Sequence, residues 1–169
     1  GEAKWVHDVY LVFEFPTKKQ TTGKPHLLGE IVTRSLNEKA KLRKWAEGIL
    51  GAKITDGTDL DLTALLSRPC LVHVLHSDKG YPRVEGVTGY PEGLPAPTPF
   101  TTAFSCALDD FKAGKKIVPE WVPWAWCRAV NNMASIPDHI KLSKELGGEG
   151  SKLATSAVAD QSDDDNIPF

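Results

Sequence analysis

His73 and His76 come first when weighing chemistry, because imidazole serves both as a general base near neutral pH and as a metal ligand. They lie three positions apart in CLVHVLH, an apolar run that reads as a buried strand. Alternation along a strand sends them to opposite faces, a poor start for a shared metal, and the expectation is one core histidine and one surface histidine. The acidic stretch DGTDLD has the spacing of a calcium loop at first sight. Counting from Asp56, however, position six is Asp61 rather than Gly and position twelve is Ser67 rather than Glu. A turn followed by a helix cap accounts for the same residues. The sequence holds no phosphate-binding glycine loop, no G-x-S-x-G and no H-E-x-x-H. The expectation is therefore a non-enzyme with no metal site and no cofactor.

Cations and aromatics offer more. Lys18, Lys19 and Lys24 sit in PTKKQTTGKP with no acid between Pro16 and Pro25. Pro, Gly and Thr mark this stretch as a long hairpin loop. A cationic loop beside a sheet face can close over a phosphate backbone, although lysines are equally at home in an ordinary solvated loop. Aromatic rings matter beside such a loop because bases stack on them. In WVHDVYLVFEF, Tyr10 shares a strand face with Asp8 and Glu14 and is expected to point outward. Trp5, Phe13 and Phe15 share the other face with Val9 and Leu11, which reads as core. Tyr81 and Arg83, near Lys79 at a later turn, would form a second lip of a groove, and Arg34 adds a further cation. Trp45, Trp121, Trp124 and Trp126 read as packing residues.

The C-terminus is the most distinctive stretch. Asp163, Asp164 and Asp165 lead to Ile167, Pro168 and Phe169, so an apolar ring and the terminal carboxylate share one residue beside a run of acids. The sequence from about Gly147 is too poor in large apolar residues to bury that ring itself. Its natural receptor is a small hydrophobic pocket rimmed by Arg and Lys on another protein, reached by long-range attraction to the Asp run. The same run could also lie over a basic groove of its own protein and compete with a polyanion.

These residues need elements to position them. A strand is expected over 5–15 and a second over 26–36, where Leu27, Gly29, Ile31 and Thr33 share one face and Leu28, Glu30, Val32 and Arg34 the other. Ser35 and Glu38 have capping-box spacing and predict a helix running to about Leu50. Its apolar stripe is Leu42, Trp45, Ala46 and Ile49, and Lys39, Lys41, Arg43 and Lys44 fill its outer face. TDLDLTALL predicts a short helix capped by Thr58 or Asp59, CLVHVLH and RVEGVTGY two more strands. The order strand, strand, helix, strand, strand is that of a five-stranded oligonucleotide-binding (OB) barrel without its first strand. That strand would lie upstream of Gly1 in a longer chain, or another segment would close the barrel. PEGLPAPTPF, with Pro91, Pro95, Pro97 and Pro99, reads as an extended connector. TTAFSCAL is a candidate strand. PEWVPWAWCRAVNNM reads as a helix packed on the barrel, with Pro119 near its start and Pro123 either in its first turn or kinking it. The expected organisation is an OB core over 1–95, a C-terminal extension over 96–140, and a flexible linker with its acidic tip over 141–169.

Composition bounds the alternatives. At 169 residues, 41% hydrophobic and 25% charged, the chain can bury a real core yet carry a disordered end. The net charge of −2 is uneven: from Ser151 onward one Lys faces four Asp, whereas the first 150 residues hold 19 Lys and Arg against 18 Asp and Glu. A strongly basic nucleic-acid binder is excluded, but not one that gathers its bases on one face. Cys70, Cys106 and Cys127 have no CxxC spacing and read as reduced packing residues in a cytoplasmic protein. No apolar run reaches the roughly 18 residues of a membrane span, so no membrane partner is expected. The chain opens on Gly1 rather than Met, as after trimming or cleavage.

DDDNIPF resembles the acidic tip of bacterial single-stranded DNA-binding proteins, whose chains end in several Asp followed by Ile-Pro-Phe; here Asn166 interrupts the pattern. VYLVFEFP, TRSLNEKAKLRKW, RPCLVHVLH and ALDDF together resemble phage-encoded OB-fold single-stranded DNA-binding proteins over roughly residues 5–112. The resemblance implies binding of single-stranded DNA without sequence preference, in support of replication, recombination or repair. Tyr10 and Tyr81 would then stack bases, and Lys18, Lys19, Lys24, Arg34 and Arg83 would neutralise phosphates. Asp163 to Phe169 would recruit replication or recombination proteins. The protein would act in the cytoplasm, that of the host cell if it is phage-encoded, with a homo-oligomer left open. The rivals are a protein–protein adaptor without strong DNA affinity, favoured by the near-neutral body, and a small nuclease, which would need clustered carboxylates.

Overall fold

The computed structural model describes residues 7–113, 115, 118, 119, 121, 122 and 124–131. The expectations for Trp5, for the linker from Lys141 and for the tip Asp163–Phe169 lie outside these residues. The protein is mainly β with a few short helices. Its elements run β1 (Asp8–Lys19), β2 (Pro25–Thr33), α1 (Lys41–Leu50), a 3-10 turn (Leu62–Leu65), β3 (Cys70–His76), β4 (Pro82–Gly89), α2 (Leu108–Lys112) and α3 (Trp124–Asn131). The strands form two two-stranded sheets, β1–β2 and β3–β4, and no closed barrel is formed among the described residues.

The chain divides into two compact units. The first holds the described residues through Leu75 together with Val84–Ala103; the second holds His76–Arg83 and the described residues from Phe104 onward. In the first unit, β1 pairs antiparallel with β2, Tyr10 opposite Ile31, Val12 opposite Gly29 and Glu14 opposite Leu27. The alternate residues Val9, Leu11, Phe13 and Phe15 turn inward. Phe13 and Val32 meet Leu42 and Trp45 of α1 and Val84 and Val87 of β4 in one core. The Phe13 and Trp45 rings pack edge to face at 5.8 Å, a geometry that adds about 0.5–1.5 kcal/mol beyond area burial. A second cluster, Ala46, Ile54 and Leu65, continues this core under the 3-10 turn.

Helix α1 presents the expected stripe: Leu42, Trp45 and Ala46 are buried and Ile49 packs against them. It also departs from the sequence reading. Ala40 is its N-cap and makes no side-chain cap bond, because Ser35 is spent locally, accepting a 3.4 Å bond from the Asn37 N–H. Lys41 and Arg43 are not surface lysine and arginine in the ordinary sense. Lys41 lies 4.7 Å over the Trp45 ring and donates to the Val84 carbonyl and to Glu30. Arg43, with its side chain only 11% exposed, donates to Glu47, Asp56 and the carbonyls of Leu36 and Ile54. Long cationic side chains bury their stems and hand their donors to carbonyls at loop ends. Asp61, rather than Thr58 or Asp59, caps the 3-10 turn through the Thr63 N–H.

CLVHVLH is half-buried rather than buried. Cys70 and Val72 face the core, while Leu71 (43% exposed), His73 and Leu75 (57%) face outward. A two-stranded sheet has one face on the core and one open, so alternation replaces continuous burial. Neither histidine is a core residue: both are exposed, and His73 Nε2 lies 3.3 Å from the Thr88 hydroxyl.

The second unit has its own core of Phe111, Val118, Val122, Cys127 and Val130, flanked by Phe104, Cys106, Trp121 and Trp126. Trp121 packs edge to face with Phe104, and Trp126 with Phe111. The candidate strand TTAFSCAL, residues 101–108, makes no strand; 101–107 run as coil into α2, whose N-terminal turn carries Asp109 and Asp110. Helix α3 spans Trp124–Asn131 among the described residues, and the expectation for Pro123 lies outside them.

Candidate nucleic-acid interface

The outer face of β1–β2 is built by alternation. Residues Asp8, Tyr10, Val12 and Glu14 of β1 stand beside Thr33, Ile31, Gly29 and Leu27 of β2, on the side away from Phe13 and Val32. Tyr10 therefore lies where the sequence places it. Its ring lies across Gly29: a Cβ there would overlap the phenol from Cε1 to the hydroxyl. The missing side chain at position 29 leaves room for the Tyr10 phenol, next to Ile31, which is 51% exposed. A half-open aromatic on a sheet face is the kind of surface on which a base stacks.

At one end of this sheet stand the lysines. β1 extends through Pro16 to Lys19 and β2 resumes at Pro25, with a register shift between Phe15 and Lys19. Lys18 and Lys19 are thus strand-end residues, not loop residues, and the loop is only the five residues 20–24. That turn is tight: Gln20 N–H donates to the Lys24 carbonyl at 2.8 Å, Gly23 N–H to the Gln20 carbonyl at 2.9 Å, and the Gln20 amide to the Pro25 carbonyl at 2.9 Å. The register shift accommodates Pro16, which has no N–H for the ladder, and such irregularities sharpen the local twist. Lys18, Lys19 and Lys24 are all exposed. Elsewhere in the first unit, Lys41, Arg43 and Lys53 are engaged with carboxylates.

Arg34 is exposed at the opposite end of the sheet, where its N–H donates to the His7 carbonyl at 2.7 Å. It lies beyond the full length of β2 from Lys24, about 30 Å at roughly 3.3 Å per residue. The structure brings Lys18, Lys19 and Lys24 together and sets Arg34 apart from them, with Tyr10 along the face between. Tyr81 and Arg83 sit at the tip of the β3–β4 hairpin, within the second unit. There Ser77 N–H donates to the Tyr81 carbonyl at 2.9 Å and Tyr81 N–H to the Ser77 hydroxyl at 3.2 Å, leaving the Tyr81 side chain 52% exposed beside exposed Lys79 and Arg83.

The sequence reading missed one feature of the outer face. The Glu14 carboxylate receives the N–H groups of Phe100 and Thr101 and the Thr101 hydroxyl, the Thr101 N–H at 2.7 Å. The end of the proline-rich connector is thereby tied to β1. No local pattern signals a bond between residues 86 apart.

Other surfaces fit a polyanion less well. An open cleft of about 440 Å³ beside Leu36 and Asn37 is edged by Glu38, Asp56 and Asp59, whose charges repel phosphate. Among the described residues no three His, Cys, Asp or Glu are grouped to hold a metal ion, and no helix is long and apolar enough to cross a membrane. No protein-family model, curated protein or solved structure matches this chain.

Proposed function

We propose that this protein is a non-enzymatic, sequence-nonspecific single-stranded DNA-binding protein that recruits replication or recombination enzymes through its C-terminal tip. The observation that carries this reading is the terminal DDDNIPF, with its resemblance to the acidic tip of bacterial single-stranded DNA-binding proteins. The geometry supports it: an exposed basic strand end at Lys18, Lys19 and Lys24 continues into a sheet face where the Tyr10 phenol lies over Gly29. We read the order β1, β2, α1, β3, β4 as an OB barrel from its second strand onward, in keeping with the phage-type resemblance. Single-stranded DNA would track the outer face of β1–β2. Lys18, Lys19, Lys24 and Arg34 would meet phosphates there and Tyr10 would stack a base, while Tyr81 and Arg83, in the second unit, are separate candidates for stacking and phosphate contact. Asp163 to Phe169 would stay clear of the DNA for a partner's pocket, in the cytoplasm of the cell or of the phage host.

The second reading is an adaptor without DNA affinity, favoured by the near-neutral body and by the outward Leu71 and Leu75 of β3. Anisotropy of a labelled oligo-dT separates the two. The full chain should bind at low salt, and a chain lacking Asp163–Phe169 should bind equally or more tightly. Absence of binding by both forms, together with capture of a recombinase or helicase, would select the adaptor.

A further inference from the structure

Phe100 is an anomaly on physical grounds. It follows four prolines in the connector, belongs to no buried cluster among the described residues, and leaves 62% of its surface in water. Its backbone is nevertheless fixed, because Glu14 accepts its N–H together with both donors of Thr101. A charged carboxylate with three donors is a strong clamp, and the prolines upstream restrict the connector further. The clamp also explains why an acid stands on a face proposed to meet phosphates. Glu14 has its charge shared among three donors rather than projected outward.

We infer that Phe100 is a further base-stacking residue on the outer face of β1–β2, delivered there by Glu14 acting as a positioning residue. The inference rests on the single-stranded DNA reading above. Glu14 lies four residues from Tyr10 on the same strand face, a separation of about 13 Å along β1. That interval holds at most about four nucleotides even at the compact rise of roughly 3.4 Å per base. One oligonucleotide can therefore engage Tyr10 and Phe100 together, and the Phe100 ring marks the end of the face that lies towards Lys18 and Lys19. The ligand class is any nucleobase, since stacking is tolerant of sequence.

The test measures oligo-dT affinity and its salt dependence for the full chain and for Phe100→Ala, Phe100→Tyr, Phe100→Leu, Glu14→Ala and the Glu14→Ala/Phe100→Ala double variant, with circular dichroism to verify folding. Phe100→Ala is expected to weaken binding by about 5- to 140-fold, the loss of one stacked base. Phe100→Tyr should restore affinity and Phe100→Leu should not. Glu14→Ala should weaken binding with an unchanged salt slope, and the double variant should be no weaker than Phe100→Ala alone. Wild-type binding with Phe100→Ala within twofold of it would overturn the inference while leaving the DNA reading intact. Tighter binding by Glu14→Ala would overturn the positioning role, because it would show Glu14 acting as a repulsive charge. Failure of the wild type itself to bind would remove the DNA reading and this inference with it.

Discussion

Replacing Gly48 by Ala tests the seat of α1 on β4, on which the whole first unit depends. In an exposed helix the change would stabilise by about 0.8–1.0 kcal/mol, the difference in helix propensity. Here a Cβ at position 48 would lie 2.6 Å from the Val87 carbonyl oxygen and 3.2 Å from the Thr88 Cα. Both atoms are backbone, so relief requires the helix or the strand to move rather than a side chain to turn. Overpacking of this kind costs about 1–3 kcal/mol. The clash outweighs the propensity gain, and the net expectation is a loss of about 1 kcal/mol. Urea denaturation followed by far-ultraviolet circular dichroism and by tryptophan fluorescence would measure it, with exposed Lys44→Ala on the same helix as a control expected within about 0.5 kcal/mol. A Gly48→Ala protein stabilised by the full propensity difference would refute the close approach of α1 to β4.

Three further outcomes are expected. Arg43→Lys should lower the melting temperature, because a single ammonium cannot replace a guanidinium that serves Glu47, Asp56 and the carbonyls of Leu36 and Ile54; an unchanged melting temperature would contradict the network. Glu47 is held below the usual carboxylate pKa, first by the Ile54 N–H and then by the side chains of Arg43 and Lys53, and Asp61 is lowered by the Thr63 hydroxyl and N–H. A depressed carboxylate contributes stability above its unfolded pKa and loses it as pH falls through the folded one. Melts should therefore show stability falling below about pH 4, the ordinary carboxylate range, and Glu47→Gln should flatten that fall. Burial raises the thiol pKa of Cys70 and Cys127, so Cys127, fully buried, should react with a thiol reagent only on unfolding; rapid labelling of the native protein at Cys127 would contradict the second core.

What the sequence made legible followed from periodicity. The stripe Leu42, Trp45, Ala46 and the inward set Val9, Leu11, Phe13, Phe15 needed only the helical and strand repeats, and Tyr10 was placed outward by the same alternation. What stayed hidden depended on chain geometry or distant partners. Pro16 marks a break in most strands, yet β1 passes through it by shifting register, which turned two supposed loop lysines into strand residues. Arg43 counts as an outer-face residue by position, but a long side chain can reach back to carbonyls on either side of its helix. Leu71 and Leu75 looked like core residues because an apolar run does not reveal that, among the described residues, two strands share the sheet. The Glu14 clamp joins β1 to the far end of the connector, and Phe100 carried no signal beyond being an aromatic after prolines.

The central claim, that single-stranded DNA binds at the basic end of β1–β2, is tested most directly by the salt dependence of oligo-dT affinity. The wild-type protein is compared with a Lys18→Ala, Lys19→Ala, Lys24→Ala triple variant. Each phosphate contact contributes about 0.7 to the slope of log K against log salt for a single strand. The slope should be about 2 units shallower in the triple variant, with weaker binding at low salt. A triple variant with wild-type affinity and slope would contradict it.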